Sequence, residues 1–457
     1  MSLLTTATAW AEVFDRFTVN NLKYMVTSES PKEVTLLGFE SDGAMQTNLT
    51  IPVSVTNGSN TYDVTCITND AFKWCYELAT VTFAADSKVG VIEQYAFEGC
   101  TSLTTINIPA SVTDIRSNPF SNCTKLTSIT VAEGNANYKS VNDVLYNIGE
   151  TQIIAYPIGK NDTSYEIPAS VEYILTDAFS HCQYLTTVTF AENSKLVAIR
   201  GNAFYYSSKL SSVGSIPASV KEIGEQAFFE CKLSSITLNS NPKIGPRAFN
   251  KDNTTTYAVT MNLDVTNNKV GSDYWMTFYN KNDDSWNFQA DNNTTVYAGM
   301  VDNDCTKLQL IPVNNRIVKH GEAVILKSTA SPIVMTLTKT NSDGDYNYNS
   351  LKGGQLSQNG YDVYTLAANG GVVGFYKFTG DRLDSQKAHL EIPPTGLGAR
   401  GFIGFDEGET TSVNEELRMK DEESAAAEWF TLDGRRLNGQ PTTKGLYISN
   451  GRKVVIK

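Results

Sequence analysis

The sequence has few of the residues and patterns that carry catalysis. Its 457 residues include three histidines, His181, His320 and His389, in unrelated contexts. It contains no Gly-x-Ser-x-Gly elbow, no His-Glu-x-x-His zinc motif and no glycine-rich phosphate loop. The many carboxylate pairs cannot be told apart from ordinary surface charge. These absences argue against an enzyme and against a bound cofactor.

Basic residues and long apolar runs are also scarce. Lys and Arg number 37 against 49 Asp and Glu, which gives a net charge of −12. Nucleic acid and anionic membrane surfaces both require a basic patch, so neither is an expected partner. No apolar stretch approaches the roughly 18 residues of a membrane span. Residues 1–9 lack the basic start and apolar run of a signal peptide, so a secreted form would have lost its leader.

An internal repeat dominates what is present. Ile108–Val131 reads IPASVTDIRSNPFSNCTKLTSITV, and near-copies lie on both sides of it. The repeat recurs about every 23 to 25 residues and carries Leu-x-x-(Ile/Val)-x-(Ile/Val/Phe), the pattern of leucine-rich repeats. One such coil cannot bury its inner face alone, but a stack of coils can. The pattern predicts a solenoid in which each coil contributes one phenylalanine: Phe72, Phe97, Phe120, Phe179, Phe204 and Phe228.

The strand of each repeat offers one candidate binding face. In Leu126–Val131, Ile129 and Val131 alternate with Ser128 and Thr130, so the two-residue period of a strand places the hydroxyls outside. Such a surface lacks the Trp, Tyr and Arg of interaction hot spots, and the β-propensity of Thr explains it equally well. The outward positions are Thr80, Thr82, Thr105, Asn107, Ser128, Thr130, Thr187 and Thr189.

Aromatic residues near the repeat phenylalanines offer a second candidate face. We expect some of them to be buried between coils, and those that are exposed would be the first choice for contact with a partner protein. They are Trp74, Tyr76, Tyr95, Tyr205, Tyr206 and Phe229.

The seven cysteines do not suggest disulfides or zinc. Five of them occupy one repeat position, where stacked side chains run parallel about 4.8 Å apart. We therefore expect these five to be buried free thiols, which leaves His181, the neighbour of Cys182, pointing to solvent. The repeat-position cysteines are Cys75, Cys100, Cys123, Cys182 and Cys231, while Cys66 and Cys305 stand alone.

The paired motifs IPASVxxI and AFxxCxxLxxI resemble the BspA-like (Treponema-type) leucine-rich-repeat surface proteins of Bacteroidales, over about residues 50 to 250. The resemblance implies a secreted or cell-surface protein that binds other macromolecules, in several members as an adhesin. The segments TFYN, GEAVILK and GFYKFTGDRL resemble a β module near the C-termini of many Bacteroidales surface proteins. The last 30 residues resemble the C-terminal sorting segments of secreted Bacteroidetes proteins.

We expect four regions, in a β-rich fold that joins a leucine-rich-repeat solenoid to an all-β sandwich or barrel-like domain. They are an N-terminal β flank or cap at 1–49, the solenoid at 50–250, the all-β domain at 251–405, and an acidic linker with a small β tail at 406–457. The gap between Phe120 and Phe179 is too long for one period, so we expect a β-hairpin insertion at about 138–165.

Two functions remain open. The first is a non-enzymatic exported surface protein whose solenoid binds a protein, for example a host extracellular or surface protein. The second is a glycan-binding surface component with its site in the β domain at 259–404. Exposed aromatics on the solenoid would favour a protein ligand, whereas an exposed aromatic pair in a groove of the β domain would favour a sugar ligand. A hydrolase in the β domain would require clustered carboxylates in a cleft.

A weak metal candidate lies in the same region. Asp343, Asp345 and Asn347 alternate like the first ligands of a calcium loop. Tyr348 and Gly354 then occupy the positions that need Gly and Glu, so a polar hairpin tip is an equally open interpretation.

Overall fold

The computed structural model describes residues 13–41, 46–252, 256–280, 286–301, 307–338, 346, 349–353, 361–369, 372–378, 388–392 and 402–406, together with four strand segments near the C-terminus. The regular structure in these ranges is β-strand, apart from two 3₁₀ turns at Thr266–Asn268 and Asn314–Arg316. The prediction of a β-rich solenoid is confirmed.

The N-terminal strands lead into the coils. They are β1 (Arg16–Val19), β2 (Leu22–Glu29), β3 (Lys32–Phe39), β4 (Asn48–Ile51), β5 (Ser54–Asn57) and β6 (Asn60–Ile67). β1, β2 and β3 form an antiparallel meander, and β3 then pairs parallel with β6. From this point β4 and β6 start the two parallel ladders of the solenoid.

Each coil adds one strand to each ladder. The first stack contains β7 (Thr80–Phe83), β8 (Val91–Ile92), β9 (Thr105–Ile108), β10 (Asp114–Ile115) and β11 (Ser128–Val131). The first ladder runs β4–β7–β9–β11 and the second continues from β6 through β8 to β10. The turn that carries the repeat phenylalanine forms the third side of the coil.

Three antiparallel strands follow the first stack, one more than the predicted hairpin. They are β12 (Tyr138–Val141), β13 (Val144–Asn147) and β14 (Gln152–Ala155). Alternate residues face different cores: Val144 joins the core of the coils that follow and Leu145 joins the core of the coils that precede. The continuous apolar runs of β13 and β14 therefore make a wall that is buried on both faces.

The second stack repeats the two-ladder plan. It contains β15 (Ser164–Ile167), β16 (Tyr173–Ile174), β17 (Thr187–Phe190), β18 (Ala198–Ile199), β19 (Ser212–Val213), β20 (Glu222–Ile223), β21 (Ser235–Leu238) and β22 (Lys243–Ile244). β14 pairs parallel with β16, so the insertion itself opens the second ladder of this stack.

The described part of the region after the repeats is all-β, as predicted. Its strands are β23 (Ala258–Leu263), β24 (Lys269–Val270), β25 (Asp273–Tyr279), β26 (Asn287–Ala290), β27 (Thr294–Val301), β28 (Lys307–Pro312), β29 (Ile317–Val318), β30 (Ala323–Ser328), β31 (Ile333–Thr338), β32 (Leu351–Lys352), β33 (Asp362–Asn369), β34 (Val372–Lys377), β35 (His389–Ile392) and β36 (Phe402–Asp406). This region continues the solenoid sheet because β21 pairs parallel with β23. One sheet has the order β21–β23–β31–β26–β29 and another the order β24–β25–β30–β27–β28–β36–β34–β33–β35–β32. Phe278 and Phe288, one from each sheet, meet edge-on with ring centroids 6.0 Å apart.

Four short strands lie near the C-terminus, in the order β38–β37–β39–β40. They are β37 (Trp429–Phe430), β38 (Arg436–Leu437), β39 (Gly445–Ser449) and β40 (Arg452–Ile456). β39 and β40 pair antiparallel.

The repeat phenylalanines stack face to face inside the coils. Their ring centroids are 5.0–6.1 Å apart. Phe39 closes the first end of the ladder edge-on against Phe72, and Trp286 closes the other end against Phe249. The ladder runs Phe72–Phe97–Phe120 in the first stack and Tyr156–Phe179–Phe204–Phe228–Phe249 in the second.

The thiols beside this ladder are buried, as predicted for the five repeat-position cysteines, and those of Cys100, Cys123, Cys182 and Cys231 are free. Cys100 Sγ donates to the Phe72 carbonyl oxygen at 3.2 Å, and Cys123 Sγ donates to the Phe97 carbonyl oxygen at 3.1 Å. Burial raises the pKa of the Cys123 thiol to about 12. Cys66 is free and partly buried, and Cys305 lies outside the described residues.

Removing one ring from the phenylalanine ladder should strongly destabilise the protein. We predict that Phe204→Ala lowers the free energy of unfolding by about 3–5 kcal/mol, because the lost side chain is fully buried and leaves a cavity. Denaturant titration measures this change. Phe14→Ala is the control, since Phe14 is 73% exposed and its loss should change stability little. A loss below about 1 kcal/mol in Phe204→Ala would contradict the stacked core.

Serine should replace a repeat-position cysteine with a smaller loss of stability than alanine does. Ser207 occupies the cysteine position of its coil and donates to the Phe179 carbonyl oxygen at 2.7 Å. We therefore predict that Cys123→Ser is more stable than Cys123→Ala by about 1 kcal/mol, the net contribution of one hydrogen bond. Parallel urea titrations of the two variants compare them, and equal or reversed stability would show that the thiol acts only as a small apolar group.

Candidate functional site

The turn edge, meaning the side of the solenoid formed by the turns that carry the repeat phenylalanines, has an unusual backbone. The residue two places after each phenylalanine is left-handed, with φ between 53° and 72°. At five of these positions the N–H donates to the following turn, as Trp74 N does to the Glu98 carbonyl oxygen at 2.7 Å. The stack therefore fixes the conformation at Trp74, Gly99, His181, Tyr206 and Glu230, and Asn122, in the turn before the insertion, has the same conformation.

Three of the predicted aromatics form a first aromatic patch: Trp74, Tyr76 and Tyr95. Trp74 is 39% and Tyr76 is 55% exposed, and their ring centroids lie 6.1 Å apart. Tyr95 is partly buried. Lys73 Nζ lies 5.9 Å from the Trp74 ring centroid and 5.0 Å from that of Tyr95, and it is 2.8 Å from Glu98 Oε2. The hydrogen bond to Glu98 raises the pKa of Lys73, so a charged amine holds the two rings together.

A second aromatic patch on the same edge consists of His181, Tyr205, Tyr206 and Phe229. The His181 ring stacks on Tyr206 at 5.7 Å, and Tyr205 stacks on Phe229 at 5.6 Å. Tyr206 is 39% exposed, whereas Phe229 is only 2% exposed and lies under the Arg247 guanidinium. Phe229 thus supports the patch from below. His181, expected in solvent, is partly buried, and burial lowers its pKa.

The backbone ladders are interrupted between the two patches, at the insertion, and we call this boundary the seam. Ile129 of β11 donates its N–H to the Asp143 carbonyl oxygen of the β12–β13 turn at 3.0 Å, so β11 meets the insertion. Ile115 of β10 donates its N–H to the Tyr138 hydroxyl at 2.8 Å. A side-chain oxygen thus takes the place of the next ladder carbonyl.

Side chains also join the two stacks on the turn edge. Asn118 Oδ1 accepts from Phe120 N at 2.9 Å, and Asn118 Nδ2 donates to the Asp177 carbonyl oxygen at 2.9 Å. The Tyr95 hydroxyl, from the first aromatic patch, donates to Asp177 Oδ2 at 3.2 Å. Asp177 is 4% exposed, and burial raises the pKa of its carboxyl to about 6.

The predicted strand face is a polar surface of hydrogen-bonded rows. Thr80 Oγ1 donates to Asn48 Oδ1 at 2.6 Å, and Thr130 Oγ1 donates to Asn107 Oδ1 at 3.0 Å. β7 and β9 pair only at Thr80 and Thr105, and a groove of about 490 Å³ lies beside them. The outward side chains are exposed at Thr80, Thr82, Thr105, Asn107, Thr130 and Thr189, and partly buried at Ser128 and Thr187.

Chemistry beyond binding finds little support in the part of the chain that the structure describes. That part contains no group of three or more His, Cys, Asp or Glu side chains that could hold a metal ion. His389 is fully buried, with Nε2 at 3.3 Å from Glu391 Oε1. Asp343, Asp345 and Asn347 lie outside the described residues.

The repeat geometry agrees with a comparison against protein families. The model of the BspA type leucine rich repeat region matches residues 43–157, 158–270 and 197–330, with six copies. The chain belongs to the BspA type leucine-rich-repeat family. The comparison with curated proteins found no match to this chain. Within the described ranges, no helix has the length and apolar character that crossing a membrane would require.

Several solved structures resemble this BspA type protein over about half its length. The pneumococcal vaccine antigen PcpA is 22% identical, with a TM-score of 0.35, 53% of this chain covered and 89% of that one. A leucine rich cell surface protein from Faecalibacterium prausnitzii A2-165 is 20% identical, with a TM-score of 0.34 and coverages of 54% and 94%. A leucine-rich repeat protein from Bacteroides ovatus ATCC 8483 is 24% identical, with a TM-score of 0.33 and coverages of 51% and 68%.

Sequence reasoning missed several residues of the turn edge in this BspA type repeat. Tyr184 is 41% exposed, with Lys209 Nζ 5.6 Å from its ring centroid. Lys73 and His181 complete the two patches. Two residues could have revealed the left-handed positions. Gly99 and Asn122 both stand two places after a repeat phenylalanine, and Gly and Asn are residue types that favour positive φ.

Gly99 should be required for the first aromatic patch. A Cβ at Gly99 would lie 2.1 Å from Trp74 Cε3, and its φ is +72°. Gly58 has φ +61° with nothing within 4 Å of the added Cβ, so it shares the backbone strain without the clash. We predict that Gly99→Ala is more destabilising than Gly58→Ala by about 1–3 kcal/mol. Urea titration followed by tryptophan fluorescence measures both effects, and equal losses would show that the Trp74 ring does not lie over Gly99.

Proposed function

We propose that this BspA type protein is a non-enzymatic, exported bacterial surface protein that binds a protein partner through the turn edge of its solenoid. The observation that carries the proposal is the placement of Trp74 and Tyr206, both exposed, at left-handed backbone positions. Solvent exposure and local backbone preference both disfavour large aromatic residues there, so a role outside the fold explains them best.

The size of the backbone effect supports this reasoning. A left-handed conformation costs about 1–2 kcal/mol for a residue with a Cβ, and much less for Gly or Asn. Gly99 and Asn122 occupy the equivalent positions of two other turns, so the turn can form with residues for which the left-handed conformation costs little free energy. Trp and Tyr are the residue types enriched in interaction hot spots, because a large rigid ring loses little entropy on binding.

The placement of exposed aromatics favours protein over sugar as the ligand. Among the described residues, Trp74, Tyr76, Tyr184 and Tyr206 are exposed on the solenoid. In the described part of 259–404, Tyr361 at 40% is the exposed large apolar side chain. Sugar-binding clefts use aromatic rings as platforms, and a single exposed ring supports such a cleft poorly.

The finer parts of the proposal rest on the sequence resemblance. Export, attachment to the surface of a Bacteroidales cell and adhesion to a host extracellular or surface protein follow from the BspA-like motifs. The residues from 251 to 405 would serve as a stalk or second binding unit, and the tail from 406 to 457 as a sorting or anchoring element. The boundaries of these regions stay a prediction.

Replacing the exposed aromatics should weaken binding to the partner without weakening the fold. We predict that Trp74→Gly combined with Tyr206→Asn changes Tm by no more than about 3 °C, because relief of backbone strain offsets lost packing. Binding to the partner should fall at least about tenfold, the equivalent of 1.4 kcal/mol. The full chain is screened against immobilised secreted and cell-surface proteins and against a glycan array, and the variant is then measured on each binder by surface plasmon resonance.

The strand face provides the matched control. Thr82→Ala combined with Thr189→Ala alters two exposed hydroxyls on the other side of the coils and should leave binding unchanged. Loss of binding in this variant with retention in the aromatic variant would assign the partner to the strand face instead. Binding only to glycans, unaffected by the turn-edge changes, would overturn the proposal.

A further inference from the structure

The strands of the strand face are arranged in couples. β4 with β7, β9 with β11, and β15 with β17 each pair over four residues. Between couples the pairing is shorter, because β7 and β9 pair at one position and β17 and β19 pair at two. The structural unit along this face is therefore two coils, which is twice the period of the sequence repeat.

Proline at every second strand end explains the couples. In each couple, the residue after the second strand donates its N–H to the last residue of the first strand, as Ala132 N does to the Ile108 carbonyl oxygen at 2.8 Å. The same bond links Ala84 to Ile51, Ala191 to Ile167 and Asn239 to Ile216. The corresponding bond between β9 and β7 would run from Pro109 to the Phe83 carbonyl oxygen, but proline has no N–H. The ladder therefore opens here, and the Phe83 carbonyl oxygen is left for another donor.

This opening is part of the groove of about 490 Å³ beside β7 and β9. The groove runs from the loop after β7, across Pro109, to Ala132 of the next couple. Within the part of the chain that the structure describes, its lining carries one charged side chain, that of the exposed Asp86. The nearby Lys88 is engaged by Asp63, with Nζ and Oδ2 2.6 Å apart. The groove thus combines a negative charge with a backbone acceptor.

A second set of acceptors lies two strands further along. β11 is the last described strand of its sheet, so the carbonyl oxygen of Val131 has no following strand, and the exposed Glu133 comes two residues later. Two strand spacings place the loops of Asp86 and Glu133 about 9.6 Å apart. A polyproline II segment repeats every three residues, or about 9.3 Å. A cationic residue at every third position of such a segment would therefore meet both carboxylates.

We propose that the groove binds an extended basic peptide segment with Lys or Arg at every third residue. One cationic side chain pairs with Asp86 and the next pairs with Glu133, while a donor of the segment bonds the Phe83 carbonyl oxygen. The net charge of −12 on the chain favours encounter with a basic segment. The groove lies at the strand ends, between the two ladders, so this site is separate from the turn edge and goes beyond the function proposed above.

Fluorescence anisotropy with the full chain tests the site. The probe is a labelled peptide of three Lys-Pro-Pro units, and it is compared with a peptide of the same composition whose lysines are adjacent. We expect the spaced peptide to bind at least about threefold more tightly than the clustered one, with an affinity that falls as salt is added.

Charge variants locate the peptide. Asp86→Asn combined with Glu133→Gln should weaken binding of the spaced peptide at least about fivefold, since it removes both ion pairs. Glu77→Gln combined with Glu225→Gln makes the same change in net charge at two exposed residues of the turn edge. This control should bind within about twofold of the wild type.

Pro109→Ala tests the cause of the opening, because the new N–H can bond the Phe83 carbonyl oxygen. It should lower the affinity for the spaced peptide at least about threefold. Pro52→Ala is the matched control, since β4 begins its sheet and the new N–H has no preceding strand to bond. Both variants lose one proline in the unfolded chain, so Tm of Pro109→Ala should exceed that of Pro52→Ala by about 2–4 °C.

Three results would each overturn the site: equal binding of the spaced and clustered peptides, unchanged binding after loss of the two carboxylates, or unchanged binding in Pro109→Ala. Binding of spermidine in place of the peptide, abolished by the same carboxylate changes, would assign the groove to a small polyamine instead. Loss of peptide binding in Trp74→Gly with Tyr206→Asn would place the peptide on the turn edge and also overturn the groove. The function proposed above is tested by its own screen and does not depend on these outcomes.

Discussion

The solenoid depends on one contact, the face-to-face stacking of an aromatic ring from each coil on the ring of the next. A single coil would leave its phenylalanine and its inner strand residues in water, and each neighbour removes one of those faces from water. The ends of such a ladder require closure from outside the repeats. Phe39 closes one end, and Trp286 closes the other from within the β region that follows. That region shares one core with the second stack, so its first sheet extends the solenoid.

The insertion shows how a stack can change period without opening its core. A missing coil would expose the faces of both neighbours. The β13–β14 pair fills the gap because each strand has a continuous apolar run, Val144–Tyr146 and Ile153–Ala155, which presents an apolar face to each side. The polar backbone edges cannot be sealed in this way, so individual side chains complete them. Tyr138 serves the second ladder and Asn118 serves the turn edge. The seam is thus apolar inside and tied by named hydrogen bonds outside.

Much of this fold could be predicted from the sequence because its rules are local and repeated. The two-residue alternation gave the strands, and the spacing of Phe72, Phe97 and Phe120 gave the stack. The free thiols followed from the parallel direction of equivalent side chains. Each of these inferences uses residues within one period, where chain geometry alone fixes which side chains are neighbours.

What could not be predicted depends on contacts between distant segments or on backbone choices without a strong residue signature. Tyr95 and Asp177 meet across 82 residues and an irregular insertion, so no spacing rule connects them. The third inserted strand, β12, has neither a regular alternation nor a fully buried residue, since all four of its side chains are partly buried. The left-handed positions were hidden because aromatic residues occupy them in the coils of Trp74 and Tyr206.

That last exception separates the two candidate faces. On the strand face, residue type agrees with local preference: Thr favours strands, its hydroxyl suits water, and neighbouring rows satisfy one another. Nothing there requires an explanation beyond folding. On the turn edge, residue type conflicts with local preference, because large rings stand exposed on backbone that suits Gly and Asn. Sequences keep such conflicts chiefly where a function requires them. The same edge carries the buried carboxyl of Asp177, whose pKa burial raises to about 6. Both conflicts fall on one side of the coils, and that agreement favours the turn edge over the strand face as the binding side.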